Sequence, residues 1–247
     1  MARKLCIAAT PDDLAREAAE RFVAAAQTAI AARGSFAVAL SGGSTPQRLF
    51  TLLTQAPYTQ GVDWSRVRVF FADERFVPPH HPDSNFRLAR ETLLDHVPVV
   101  PDNVFSMPTE GATPEQCAAA YGATLAAVFG APLPHFDLVL LGMGPDGHTA
   151  SLFPGRPDYP GAVAAVHDSP KPPPLRLTLT LAAINRAREI HFLVTGADKA
   201  DALRAVFEDD ATLPATRVAA DSGSTLWLVD RAAGRWVEAF ASARRGD

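Results

Sequence analysis

A chain of 247 residues with 47% hydrophobic and 20% charged side chains has ordinary globular composition and the length for one large α/β domain or two small ones. Its net charge of −4, with no long basic segment, argues against a general nucleic-acid or membrane-surface binder, so an anionic ligand has to be met by a local pocket. Only Cys6 and Cys117 are present, far apart and outside metal-ligand spacing, which argues against a disulfide framework or a zinc site, and the absence of a long apolar run points to a cytoplasmic protein.

Leu5 to Ala9 reads as a first strand. Thr10-Pro-Asp-Asp13 then resembles a helix start, with Thr10 as N-cap, Pro11 at the first position and Asp13 completing a capping-box pattern. The helix runs to about Arg33. Leu14, Ala18, Phe22, Ala26 and Ile30 mark its buried face, and Gly34 suits the position past its end. Phe36 to Leu40 is an apolar run ending in Ser41-Gly-Gly-Ser-Thr-Pro46, before a helical segment over Gln47 to Leu53. A strand, a Gly-rich turn and a helix in that order form a phosphate cradle without a Walker lysine: glycines admit the ligand, hydroxyls and free helix-start amides face it. Its candidate residues are Ser41, Gly42, Gly43, Ser44 and Thr45. A plain Ser/Thr-capped turn is the structural alternative.

Val67 to Ala72 reads as another buried strand, ending in Asp73-Glu-Arg75 where the sheet's carboxyl edge displays catalytic groups. The alternative is a solvated, salt-bridging tip. Pro78-Pro-His-His-Pro82 is a rigid loop, and Asp83-Ser-Asn85 caps a helix from Phe86 to about Asp95. Asp102 to Met107 holds a short strand. Thr113-Pro-Glu-Gln116 opens an Ala-rich helix running to about Phe129.

Phe136 to Leu141 is a strand that breaks into Gly142, Gly144, Pro145 and Gly147, and the resulting loop delivers Asp146 and His148 two residues apart. They form a candidate acid/base pair, set against a helix cap beside a surface histidine. Residues 154–174 are proline-rich, stiffest at Lys171-Pro-Pro-Pro174, and read as an irregular surface segment, a plain connector before one that borders a pocket. From Leu175 to Leu181 leucines alternate with Arg176, Thr178 and Thr180, so one face is core and the other polar, with Arg176 projecting toward a cleft or lying on the wet face of an edge strand. Glu189 to Thr195 is the next strand. Gly196-Ala-Asp198 makes a turn with a helix cap, and Lys199 falls in the first turn of a helix running to about Phe207. There the helix dipole disfavours a cation unless an anion, such as a bound phosphate, is near. Thr225 to Val229 is the last strand. The tail packs through Trp236, Val237 and Phe240, and Arg244-Arg-Gly-Asp247 frays. The alternation of strands and helices indicates an α/β fold, a Rossmann-like, mainly parallel sheet with helices on both faces, forming a single domain over residues 1–247.

Leu40-Ser-Gly-Gly-Ser-Thr-Pro46, Ala72-Asp-Glu-Arg75 with Asp83-Ser-Asn85, and Gly142-Met-Gly-Pro-Asp-Gly-His-Thr-Ala-Ser-Leu-Phe153 together resemble the 6-phosphogluconolactonases of the pentose phosphate pathway. The wider group includes glucosamine-6-phosphate deaminases and ribose-5-phosphate isomerases. The resemblance runs from about Phe36 to Val229. It implies hydrolysis of 6-phospho-D-glucono-1,5-lactone with no metal or organic cofactor, a small sugar phosphate lactone as the only partner, and no nucleic acid, membrane or obligate protein partner. It also implies His148 as the base, Ser41 to Thr45 in the phosphate pocket, and Arg75, Arg176 and Lys199 as cations facing substrate. Asp146 is expected to orient the imidazole or bind a sugar hydroxyl. Asp73 joins the substrate residues, and would be the proton-shuttling base in a competing isomerase or deaminase reading. Arg75 after Asp-Glu, and Phe153 where the deaminases carry an acidic residue, resemble the lactonase pattern. A sugar-phosphate sensing module is the non-enzyme alternative.

Overall fold

Four strands that are buried along nearly their whole length form the centre of the molecule, and two of them, Phe36–Leu40 and Leu138–Leu141, are uniformly apolar runs of the sequence. In the computed structural model, which describes residues 3–242, the chain runs β1 (Lys4–Ala8), α1 (Pro11–Arg33), β2 (Phe36–Leu40), α2 (Ser44–Leu53), β3 (Val67–Phe71), β4 (Asp73–Arg75) and α3 (Asn85–Thr92). It continues through α4 (Pro114–Phe129), β5 (Leu138–Leu141), β6 (Val163–Val166), β7 (Arg176–Leu179), α5 (Leu181–Asn185) and β8 (Glu189–Val194). The last elements are α6 (Ala200–Phe207), α7 (Pro214–Arg217), β9 (Ser224–Asp230), α8 (Arg231–Gly234) and α9 (Glu238–Ser242). Six strands make one parallel sheet in the order β1-β9-β8-β5-β2-β3. β2 and β5 are buried throughout, and β8 and β9 at all but their first residue, because helices cover both faces. Phe192 on β8 stacks on Trp227 of β9 with ring centroids 3.8 Å apart, worth about 0.5–1.5 kcal/mol beyond the area it buries.

The strand order contains one reversal. From β2 the chain crosses through α2 to β3 on one side, whereas from β5 it proceeds to β8 and β9 on the other. Right-handed crossovers then put α1 and α2 on one face and α4 and α6 on the opposite face. A crevice opens at the carboxyl ends of β2 and β5, the place where such sheets bind ligands.

Helix starts and stops follow from local chemistry. Thr10 accepts from the Asp13 amide at 3.1 Å, Pro11 occupies the first turn, and Gly34 closes α1 with φ 78° and a 2.8 Å bond to the Ile30 carbonyl. The box at Thr10 is only half made: Thr10 Oγ1 donates to Asp13 Oδ2 at 2.6 Å, Asp being too short to reach back as a Glu does. The predicted face of α1 is buried from Leu14 to Ala26, while Ile30 is half-buried.

A second sheet was not expected. β4, β7 and β6 form a three-stranded antiparallel sheet in the order β4-β7-β6. Ala72 joins the two sheets: its amide donates to Leu40 at 2.8 Å, and its carbonyl accepts from Leu179 at 2.7 Å. Asp73 to Arg75 are therefore a strand and no solvated tip, and β6 arises within the stretch read as a connector. The polar face expected for Leu175–Leu181 is also corrected. β7 is the middle strand, buried at all four positions, and its polar side chains are tolerated because each has partners. Thr178 Oγ1 takes the Ser151 amide at 3.2 Å, and Thr180 Oγ1 donates to the Gly161 carbonyl at 2.7 Å while capping α5. The strand expected over Asp102–Met107 is a single bridge between Val69 and Val104, since Pro101 opens a short 3₁₀ turn. In the tail, Val237 is buried but Trp236 and Phe240 are exposed; Arg244 to Asp247 lie outside the described residues.

Candidate active site

The loop after β5 is wound tightly enough to face its own residues. The Gly144 amide donates to the His148 carbonyl at 2.9 Å, Gly147 donates to the Gly144 carbonyl at 3.0 Å, and Thr149 Oγ1 donates to the Gly142 carbonyl at 2.8 Å. This winding brings Asp146 Oδ1 to 2.5 Å from His148 Nδ1. Phe153 lies against the imidazole with ring centroids 4.9 Å apart. Burial pushes the Asp146 carboxyl up, but the hydrogen bond and charge of His148 outweigh this, and the group lies below its ordinary value. An ionised Asp146 can only accept, so the proton of a neutral imidazole sits on Nδ1. Nε2 has no partner among the described residues.

His148 opens onto a cleft of about 280 Å³ at the crevice between β2 and β5. That size is at the small end of ligand clefts and suits a single sugar ring. Ser41 and Gly42 reach it from β2, Asp73 and Arg75 from β4, Arg176 from β7 and Lys199 from the turn after β8. Gly43, Ser44 and Thr45 line an adjoining hollow at the start of α2, which shares Gly42 and Lys199 with the cleft. Thr45 Oγ1 lies 2.7 Å from Thr195 Oγ1. Ser41 spends its hydroxyl proton on the Leu140 carbonyl at 2.8 Å, tying β2 to β5 at the mouth of the crevice. Asp146 does not line the cleft; it reaches the site through His148.

Expectations change for two of the cations, and for the aspartate beside one of them. Arg176 is 6% exposed, and its guanidinium donates to a run of carbonyls: Nε to Pro173 at 3.0 Å, Nη2 to Lys171 at 3.1 Å and to Pro172 at 3.3 Å. The proline-rich stretch is thus a strap clamped over the cleft, with Lys171 and Pro172 in its wall. Burial pushes the Arg176 guanidinium below its ordinary value, Asp73 and Glu74 opposing and Arg75 adding to the effect. Lys199 closes a 3₁₀ turn, Ala197–Lys199, and α6 begins only at Ala200. Asp198 caps no helix: its carboxylate pairs with the Lys199 ammonium, which holds it below the ordinary carboxylate range, and so supplies the anion expected there.

Asp73, 6% exposed, accepts from Ser151 Oγ at 2.8 Å and Asn85 Nδ2 at 3.2 Å. Arg75 Nη1 donates to the Asp83 carbonyl at 2.6 Å. Asn85 and Lys171 were not anticipated as site residues. Asn85 reads as part of a helix cap, and Lys171 as the start of the stiff proline run.

Glu74 faces away from the cleft and holds the start of α3. Its carboxylate accepts from the amides of Arg75 and Asn85, both at 2.7 Å, from Phe86 at 2.8 Å and from Ser84 Oγ at 3.1 Å. Burial raises its pKa, the three amides only partly offsetting it. A folded value above the unfolded one means that the native state holds the proton more tightly, so this group's contribution falls as pH rises from the ordinary carboxylate range through the raised value. Glu74→Gln turns an N–H group on donors that have no other acceptor, and is expected to cost about 1–3 kcal/mol. In urea unfolding across that pH range, the stability gap between wild type and Glu74→Gln should narrow as pH rises.

Among the described residues, no group of three or more His, Cys, Asp or Glu side chains is placed to hold a metal ion, and no helix is long and apolar enough to cross a membrane.

A parallel sheet with its crevice at the reversal of strand order, an Asp–His pair and a cation-lined cleft together define a sugar-phosphate enzyme of the family described as glucosamine-6-phosphate isomerases/6-phosphogluconolactonase. That family's model matches residues 9–227, and the chain belongs to it. Within it the chain groups with the 6-phosphogluconolactonases, which are hydrolases. It is 42% identical to the 6-phosphogluconolactonase of Mycobacterium tuberculosis over 231 residues, covering 89% of this chain and 92% of that protein. With the Synechocystis 6-phosphogluconolactonase the identity is 44% over 211 residues, covering 83% and 86%. The solved structure of 6-phosphogluconolactonase from Trypanosoma brucei superposes with a TM-score of 0.85 at 31% identity, covering 96% of this chain and 99% of that one.

Proposed function

We propose that this chain hydrolyses 6-phospho-D-glucono-1,5-lactone to 6-phospho-D-gluconate, with His148 activating the attacking water. The observation that carries the reading is the 2.5 Å bond between His148 Nδ1 and Asp146 Oδ1, which leaves Nε2 as the basic nitrogen at the edge of the cleft. A δ-lactone is an activated ester, so a positioned water, a base and charge stabilisation suffice without a covalent nucleophile. Nε2 takes a proton from water as the oxygen attacks C1, and the same imidazolium returns it to the departing ring oxygen. Asp146 holds the ring and favours its charged form during the step. Arg75 is the side-chain cation for the developing oxyanion. Its Nε is buried without a partner, a donor left for a ligand.

The 6-phosphate falls to Lys199 together with Gly42 to Thr45 at the start of α2, where free amides and the helix dipole favour an anion. On arrival it replaces Asp198 as the partner of Lys199. Arg176 contributes through the strap that it clamps. Arg176→Ala is expected to raise KM about tenfold with a smaller effect on kcat, because hydrogen bonds from a buried charged group are lost. Arg176→Lys should not restore KM, since one ammonium cannot span the same carbonyls. A continuous assay on freshly generated lactone, corrected for spontaneous hydrolysis, tests the activity itself. Ammonia release from glucosamine-6-phosphate without lactone turnover would overturn it.

A further inference from the structure

Besides Arg75 Nε, a second buried polar atom in the wall of the cleft, Oδ1 of Asn85, has no partner. Asn85 is 2% exposed, and its Nδ2 donates to the main-chain oxygen of Asp73 at 2.9 Å and to Asp73 Oδ1 at 3.2 Å. Those two acceptors settle which way the amide is turned. Oδ1 consequently faces Gly42, close enough that a Cβ on residue 42 would lie 1.9 Å from it. There it is buried, lines the cleft with Gly42 and receives no hydrogen bond. Buried acceptors in native proteins are nearly always paired, so an orphan at a ligand cleft marks the place of a ligand donor.

We propose that Asn85 Oδ1 accepts a hydrogen bond from a ring hydroxyl of the sugar phosphate, a specificity-determining contact that rests on the lactonase reading of the cleft. The neighbouring groups favour this chemistry. Arg75, Lys171, Arg176 and Lys199 supply donors and positive charge, which suit phosphate and carbonyl oxygens. A polyhydroxylated ring also brings donors of its own, and Asp73, the carboxylate in this wall, already has both oxygens engaged by Asn85 and Ser151. An amide oxygen takes a hydroxyl proton without adding negative charge beside a phosphate and a developing oxyanion. The missing side chain at Gly42 is what lets the amide stand there.

Asn85 also steadies Asp73, so the test has to separate reading the sugar from bracing the wall. Wild type and Asn85→Ala are assayed on 6-phosphogluconolactone and on its 2-deoxy, 3-deoxy and 4-deoxy analogues. On the parent lactone Asn85→Ala should lower kcat/KM about tenfold, the scale of one neutral hydrogen bond. One deoxy analogue should cost wild type a similar factor and cost the variant nothing further. If no analogue abolishes the Asn85→Ala penalty, Asn85 acts only through Asp73 and the proposal is wrong. A structure of wild type with 6-phosphogluconate needs no variant: a ligand hydroxyl at C2, C3 or C4 about 2.8 Å from Oδ1 supports the contact, and the C5 hydroxyl, an ordered water or a protein donor in its place overturns it. Wild-type turnover of the parent lactone is scored separately, so failure of the lactonase reading registers there and not in the analogue comparison.

Discussion

Replacing His148 with Ala is expected to lower kcat by about 10²–10⁴-fold, the usual contribution of a positioned general base. The fold should survive, because the imidazole packs on Phe153 and pairs with Asp146 at the rim of the cleft and bridges no two elements of the core. The measurement is steady-state turnover of fresh lactone with the spontaneous rate subtracted, beside a circular dichroism melt. A variant that keeps full turnover would remove the base from the mechanism. Asp146→Asn makes the finer test. An amide in place of the carboxylate no longer stabilises the imidazolium and permits the other tautomer, so kcat should fall while KM stays put. The stabilisation that Asp146 gains from His148 is present above the ordinary carboxylate range and is lost only as pH falls through its lowered folded value.

Gly144→Ala is the second large effect, and it touches no reacting atom. A Cβ at residue 144 would lie 2.1 Å from both Cε1 and Nδ1 of His148 and 2.5 Å from Asp146 Oδ1. Gly144 is not among the residues with positive φ, so the backbone tolerates Ala and the entire penalty is steric. The His–Asp pair has to move by an ångström or more, and misplacement on that scale costs about 10²-fold in rate. Product inhibition by 6-phosphogluconate should change little, since the cradle at α2 lies on another loop. Wild-type kcat in Gly144→Ala would show that the observed placing of the pair is not the working one.

These two residues illustrate what a linear reading captures. Asp146 and His148 stand two positions apart after an apolar run, and β2 and β5 are recognisable because strands covered on both faces are near-continuous apolar runs, a pattern that β8 and β9 keep except at His191, Thr225 and their end residues. The second sheet was illegible for the opposite reason. β4 is three residues of Asp-Glu-Arg and β6 is four residues of small apolar type, too short for a period, and both exist only because β7 pairs with them, from more than a hundred residues away and from ten to sixteen residues away respectively. Arg176 is legible as an arginine aimed at a cleft, which it lines, but its three carbonyl partners are not, because they lie in a proline run that local pattern reads as a connector. Asn85 looked like a helix cap for a similar reason: its contacts to Asp73 cross twelve positions, and nothing local announces them.

The grip of Arg176 on Lys171, Pro172 and Pro173 bears on how fast the enzyme can capture its substrate. A wall segment that had to be frozen around each incoming sugar would charge its ordering entropy to every encounter. Fastened by a buried guanidinium, this one has met that cost once, during folding. The lactone therefore arrives at a rim already in shape, and association should show a single diffusive phase whose rate falls with ionic strength, without a slower isomerisation behind it.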